Sequence, residues 1–218
     1  KSTTLYTILD ILNTPDVNIS TVEDPIEYQM PRINQTQVKS EIGMTFANGL
    51  RALLRQDPDI VMVGEIRDGE TASLAVNAAL TGHLVLSTIH TNSAAGAVPR
   101  MIDMGVEPFL IVSTVKVVVA QRLVRRLTNS KEKYTLSEGE LKALAGIIDL
   151  DRMLELLKLE KAIGDKDDWT TILFYRPKKS EESEDGYKGR VGIHEALKMS
   201  ATIKEMVLKG GSADDIEN

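Results

Sequence analysis

Two short apolar runs, DIVMVGE (residues 59–65) and LVLSTI (84–89), are separated by one helix-length segment, GETASLAVNAALTG. No other feature limits the fold of this chain as much. Both runs are apolar almost throughout instead of alternating with polar residues, as a strand covered on both faces requires. Strands alternating with helices at this spacing imply β-α-β units and a parallel sheet. The pattern extends upstream. TFANGLRALLRQ reads as a helix with Phe46, Leu50, Leu53 and Leu54 on one side, and NISTV as a β-branched strand ending in acids. Leu5, Ile8, Leu9 and Leu12 form the apolar stripe of an opening helix stopped by Pro15. Residues 1–127 are therefore expected to form a mostly parallel α/β sheet flanked by helices.

Beyond Leu127 the texture changes. A charged, mainly helical stretch follows, then a strand in TTILFYRP, a polar excursion KKSEESEDGYKG, and RVGIHEAL leading to a final helix, ATIKEMVLKGG. A boundary near residue 128 is expected to divide the core, 1–127, from a smaller α+β appendage, 128–218, made of helices and a small strand pair.

Composition narrows the chemistry. The chain has no cysteine, which removes disulfides, thiol catalysis and thiolate metal sites, so zinc held by cysteines is not expected. A net charge of -6 argues against an extended nucleic-acid surface, although RLVRRL is locally basic. The longest apolar stretch, PFLIVSTVKVVVA, is short and broken by Lys116, so no transmembrane segment is expected.

In an open parallel sheet, ligands bind outside the carboxyl ends of the strands. Here the first strand delivers Glu23, Asp24 and Glu27 to that edge, the second Gly64 and Glu65, and the third His90. The opening KST starts a helix on the same edge, and lysine followed by serine or threonine running into a helix is how a phosphate-binding loop ends. Nucleoside triphosphate hydrolysis uses such a set. A lysine holds phosphates, a hydroxyl such as that of Ser2 ligates magnesium, one carboxylate holds the metal, and a second handles the attacking water. His83 lies at the opposite end of LVLSTI from His90, about 20 Å away at strand rise, so the two are not expected to share a ligand. His83 reads as structural or at a domain contact, and His194 as structural.

These residues resemble a known family. LRQDPDIVMVGEIRD (54–68) looks like the signature of the secretion ATPases that drive type II secretion and type IV pilus assembly. TVEDPIEY is similar to their acidic box, TGHLVLSTIHTNSA to their histidine box, and KSTTLY to the tail of their Walker A loop, whose glycines would precede Lys1. The resemblance extends through QRLVRRL and GYKGRVGIHEAL and implies a RecA-like fold, with ATP and Mg2+ bound at the carboxyl edge. It also implies roles by position. Lys1, Ser2 and Thr3 would hold phosphate, Ser2 and Glu65 the magnesium, the latter directly or through water, and Glu27 would be the catalytic glutamate. Glu23 and Asp24 would support the nucleotide, with the assignment among these three acids left open. His90 would sense phosphate, and Arg67 and Asp68 would lie at a subunit or domain contact. The family members with four cysteines around zinc differ here, where the segment reads TNSKEKY.

What the resemblance implies for the whole protein is an ATP-hydrolysing motor, a homo-hexamer that rotates domains on hydrolysis. It would be cytoplasmic and peripheral to the inner membrane, acting through platform and secretion-machinery partners without direct nucleic-acid contact. A conjugation or DNA-translocation ATPase, or a non-catalytic ring subunit of the same fold, are the alternatives. The stretch beginning at Lys1 is expected by itself to bind ATP weakly and to be inactive, because amides of a glycine loop supply much of the phosphate affinity.

Overall fold

The computed structural model describes residues 1–217 and divides into two compact units, residues 1–121 with 194–217 and residues 122–193. The first unit is built on four parallel strands in the order β2-β1-β3-β4: β1 (Ile19–Glu23), β2 (Ile33–Gln37), β3 (Ile60–Ile66) and β4 (Leu84–Ile89). Side chains alternate across a strand, so β3 feeds two cores. Ile60 and Met62 pack with Ile19, Ile33 and the buried stripe Leu5, Tyr6 and Leu9 of helix α1 (Ser2–Leu12). Val61 and Val63 pack on the other face with Leu50 of α2 (Phe46–Leu53) and with Ala72 and Val76 of α3 (Gly69–Leu80). Each fully buried aliphatic side chain, such as Leu9, contributes about 1.5–3 kcal/mol by leaving water.

The helix starts follow from their caps. Thr45 accepts from the Asn48 amide at 3.2 Å and opens α2, while Asp68 accepts from the Thr71 amide at 2.8 Å and opens α3. Asp68 of the signature is thus committed within its own segment. Helices α4 (Ala97–Asp103) and α5 (Pro108–Thr114) then lead into the long strand β5 (Val117–Leu127).

The second unit contains β6 (Lys131–Tyr134), α6 (Glu138–Ala145), α7 (Leu150–Leu159) and β7 (Phe174–Pro177), with β6 and β7 antiparallel. Among its described residues no large apolar side chain is fully enclosed. Cations stacked on aromatic faces bind it together: Arg125 lies 3.8 Å above the Tyr187 ring and Arg176 3.9 Å above Tyr134. Strand β8 (Tyr187–Lys198), paired with β5, returns the chain to the first unit, where α8 (Ala201–Leu208) and α9 (Ala213–Glu217) end it.

The partition therefore differs from a single boundary near residue 128. The physical reason is burial. Met199, Val207 and Ile216 belong to the same core as Val61, Ala72 and Ile111, so the last helices complete the first unit instead of extending the second. β6, Lys131–Tyr134, lies in a stretch expected to be mainly helical and pairs with β7 inside the TTILFYRP segment. No helix among the described residues is long and apolar enough to cross a membrane.

Candidate functional site

All three strand ends foreseen from the sequence meet at one cleft of about 190 Å³. Lys1 caps α1, which supplies Ser2 and Tyr6; Glu23, Asp24, Pro25 and Glu27 come from the end of β1 and its turn, Gly64 and Glu65 from β3, and Thr88 from β4, which His90 directly follows. Thr3 is exposed and does not line it. Successive helical residues are turned by about 100°, so Ser2 and Thr3 cannot face the same way.

Glu65 reaches the cleft because β3 is bulged. Val63 pairs with Ser87, but Ile66 pairs with Ile89, so β3 carries one residue more than β4 between these points. Such an extra residue re-aims the side chains at a strand end. Two hydroxyls of β4 satisfy the displaced carbonyls: Ser87 Oγ donates to Val63 O at 2.7 Å, and Thr88 Oγ1 to Gly64 O at 2.8 Å. Gly64 sits at a close approach, since a Cβ there would stand 3.3 Å from Val22 O and 3.4 Å from Glu23 Cα.

The Glu65 side chain is only 12% exposed, with one carboxylate oxygen 2.5 Å from the Arg67 guanidinium and the other 3.1 Å from His90 Nε2. Burial pushes its pKa upward, but the hydrogen bonds and charges of Arg67 and His90 outweigh it and hold the carboxyl below its ordinary value. Glu65 is therefore an anion at neutral pH. Lys1 Nζ donates to the Ile89 carbonyl at 2.7 Å, which sets the ammonium at the carboxyl end of β4 next to His90.

The three acids of the β1 turn occupy different environments. Glu23 is buried, and its oxygens accept from Tyr6 Oη, from Thr21 Oγ1 at 2.6 Å and from Gln35 Nε2 at 3.1 Å. Asp24 and Glu27 are exposed at the rim. His83 lies away from the cleft, with Nδ1 2.9 Å from the Ala78 carbonyl at the end of α3.

Sequence reasoning did not single out Tyr6, Gln35 or Thr88. Tyr6 sits at the helical spacing of a core residue, and Gln35 lies in a polar segment with no strand signal. The i, i+4 relation of Ser2 and Tyr6, which puts both on one face of α1, was the available clue.

The family profile described as "Type II/IV secretion system protein" matches residues 1–218. The type II secretion system ATPase E of Vibrio cholerae is 50% identical over 208 residues, 95% of this chain and 38% of that protein. The type IV pilus assembly ATPase PilB of Myxococcus xanthus is 43% identical over 217 residues, 100% of this chain and 36% of that protein. This chain thus spans roughly a third of the length of the curated relatives it matches. Among solved structures, the pilus retraction motor PilT with bound ADP superposes with a TM-score of 0.63 at 28% identity, over 96% of this chain and 47% of that one. The parallel sheet with its flanking helices shares the RecA-like fold of that motor. Motif order, fold and a profile match along the full chain lead to one conclusion: the chain belongs to the type II/IV secretion system protein family, that of the secretion and pilus-assembly ATPases.

Proposed function

We propose that this chain carries the hydrolytic edge of a motor subunit for type II secretion or type IV pilus assembly, converting ATP and water to ADP and phosphate. One observation carries the reading: Lys1, Ser2, Glu27, Glu65 and His90 line a single cleft at the carboxyl edge of the sheet. The Lys1 ammonium, set at the end of β4, would bind phosphate oxygens. Ser2 and Glu65 offer a hydroxyl and an ionised carboxylate, the hard oxygen donors that suit Mg2+ held jointly with phosphates. Magnesium, when bound with nucleotide, neutralises charge on the phosphate oxygens.

Glu27, exposed at the rim, is the carboxylate positioned to orient the attacking water and take its proton. Glu23 and Asp24 support the nucleotide side of the turn, Glu23 by fixing its neighbours. His90, beside Glu65 and Lys1, would register whether the terminal phosphate is present. Thr3 would contribute through its backbone at the start of α1. The names of the relatives support a place in secretion or pilus machinery. The reading includes a homo-hexameric ring at the cytoplasmic face of the inner membrane, coupled to platform proteins, in which hydrolysis rotates domains.

The test is ATP turnover by the full-length protein carrying Glu65→Gln or Glu27→Gln. Each is expected to fall by about tenfold or more, the scale of a lost acid–base or charge-stabilising group, with circular dichroism unchanged. Wild-type turnover in both variants would refute the site.

A further inference from the structure

Of the buried polar network beneath the acidic turn, only Glu23 has so far been given a part, and Tyr6 and Gln35 none. Tyr6 is 1% exposed, and its hydroxyl makes two bonds at once. It donates to Glu23 Oε2 and accepts from the Glu27 amide at 3.2 Å. Glu23 is itself 3% exposed and holds Gln35 through Oε1. Gln35 in turn donates to the Tyr28 carbonyl at 3.2 Å and accepts from the Met30 amide at 2.7 Å. The segment 27–30 is therefore fastened at three successive points by side chains from α1 and β2. Edge-to-face packing of Tyr6 on Tyr28, centroids 4.6 Å apart, closes the same segment from above.

A buried carboxylate is costly unless several donors satisfy it, and an apolar core at this place would be simpler. We infer that Tyr6 is a positioning residue: its hydroxyl ties the Glu27 backbone to helix α1, so that the Glu27 carboxylate and the Lys1–Ser2 helix start move as one body. This rests on the reading of Glu27 as the group that handles water. Ser2 and Tyr6 lie one helical turn apart on the face of α1 that lines the cleft, which makes the link short and stiff. Burial, and secondarily the Glu23 carboxylate, push the Tyr6 phenol up to about 12, so it remains a donor throughout the neutral range. Displacing a catalytic group by about 1 Å costs on the order of a hundredfold in rate, so a tether at this point affects turnover more than binding.

The experiment uses the full-length protein with Tyr6→Phe, Thr21→Val and Glu27→Gln in parallel. Tyr6→Phe keeps the ring and its packing and removes the hydroxyl, and with it both the bond to the Glu27 amide and one donor to Glu23. It is expected to lower kcat by about tenfold, a fraction of the displacement cost above, with KM for ATP within about twofold. Thr21→Val removes a different donor to Glu23 and leaves the Tyr6–Glu27 bond, so its kcat is expected to stay near wild type. A purely structural network predicts equal losses in the two variants, and that result, or a normal kcat in Tyr6→Phe, overturns the inference. Wild-type turnover in Glu27→Gln removes the Glu27 reading and this one with it. An inactive Glu27→Gln beside a normal Tyr6→Phe removes the tether alone. Amide exchange of wild-type protein adds a readout that needs no variant: the Glu27 amide, which donates to Tyr6 Oη, is expected to be protected although Glu27 is exposed, and rapid exchange there counts against the tether.

Discussion

Gly64→Ala tests whether the bulge of β3 is what aims Glu65. The added Cβ would lie 3.3 Å from Val22 O, 3.4 Å from Glu23 Cα and 3.7 Å from Phe46 Cε1. The first two neighbours are backbone of β1, which is hydrogen-bonded to β2 on one side and β3 on the other, so they cannot easily yield. Overpacking of this kind costs about 1–3 kcal/mol. Replacing glycine in a strand returns about 0.5–1 kcal/mol of backbone entropy. The balance is a loss of about 1 kcal/mol, the difference of those two ranges near their middles. Urea denaturation followed by far-UV circular dichroism reads this as a lower midpoint at unchanged slope. Because strain at Gly64 is relieved by shifting its neighbour Glu65, ATP turnover in the full-length protein should fall further than stability does. A variant as stable as wild type or more so, with undiminished turnover, would show that β1 gives way and that the bulge does not depend on the missing side chain.

Two further outcomes follow from the site. Asp68→Ala should destabilise the chain by about 1 kcal/mol through loss of the α3 cap, and Asp68→Asn should recover most of it, as measured by thermal melting. Equal stability of the alanine variant would mean that the signature aspartate serves a contact outside this helix. Glu65 has a folded-state pKa held below its ordinary value of 4.5, so its contribution to stability is complete above that value and is lost as pH falls through the lower, folded value. The stability gap between wild type and Glu65→Gln should therefore shrink on acidification below about 4.5, the unperturbed glutamate range, and a pH-independent gap would contradict the ionised state inferred here.

Much of the core was legible because its elements announce themselves by period. The opening helix, α2, α3, β1, β3 and β4 all coincide with segments singled out by apolar spacing, and the carboxyl-edge rule brought Lys1, Ser2, Glu23, Asp24, Glu27, Glu65 and His90 to one cleft. β2 was not legible. Its sequence, INQTQ, has one buried apolar residue, and what seats it is the ladder to β1 together with Gln35. The long β5 was hidden for a related reason: VVVAQRLVRRL mixes an apolar run with arginines, and Arg125 stacks on the ring of Tyr187, far away in sequence. The bulge at Gly64 and the partners of Tyr6 were not legible, because each depends on the distance between two chain segments; the i, i+4 spacing of Ser2 and Tyr6 showed only that the two share a helix face.

The return of the chain to its first unit also orders events during synthesis. Residues 122–193 emerge from the ribosome before Met199, Val207 and Ile216, yet these three line the core that covers β3 and α3. A nascent chain reaching only residue 193 thus holds β1 to β4 with α2, α3 and α5, but the core those helices share still lacks Met199, Val207 and Ile216. The inserted unit, stitched by surface cations and rings, is complete while its host is not. The core of the host waits for these three residues while the whole insertion is made, so the size of the insertion sets how long that core stays open to mispairing.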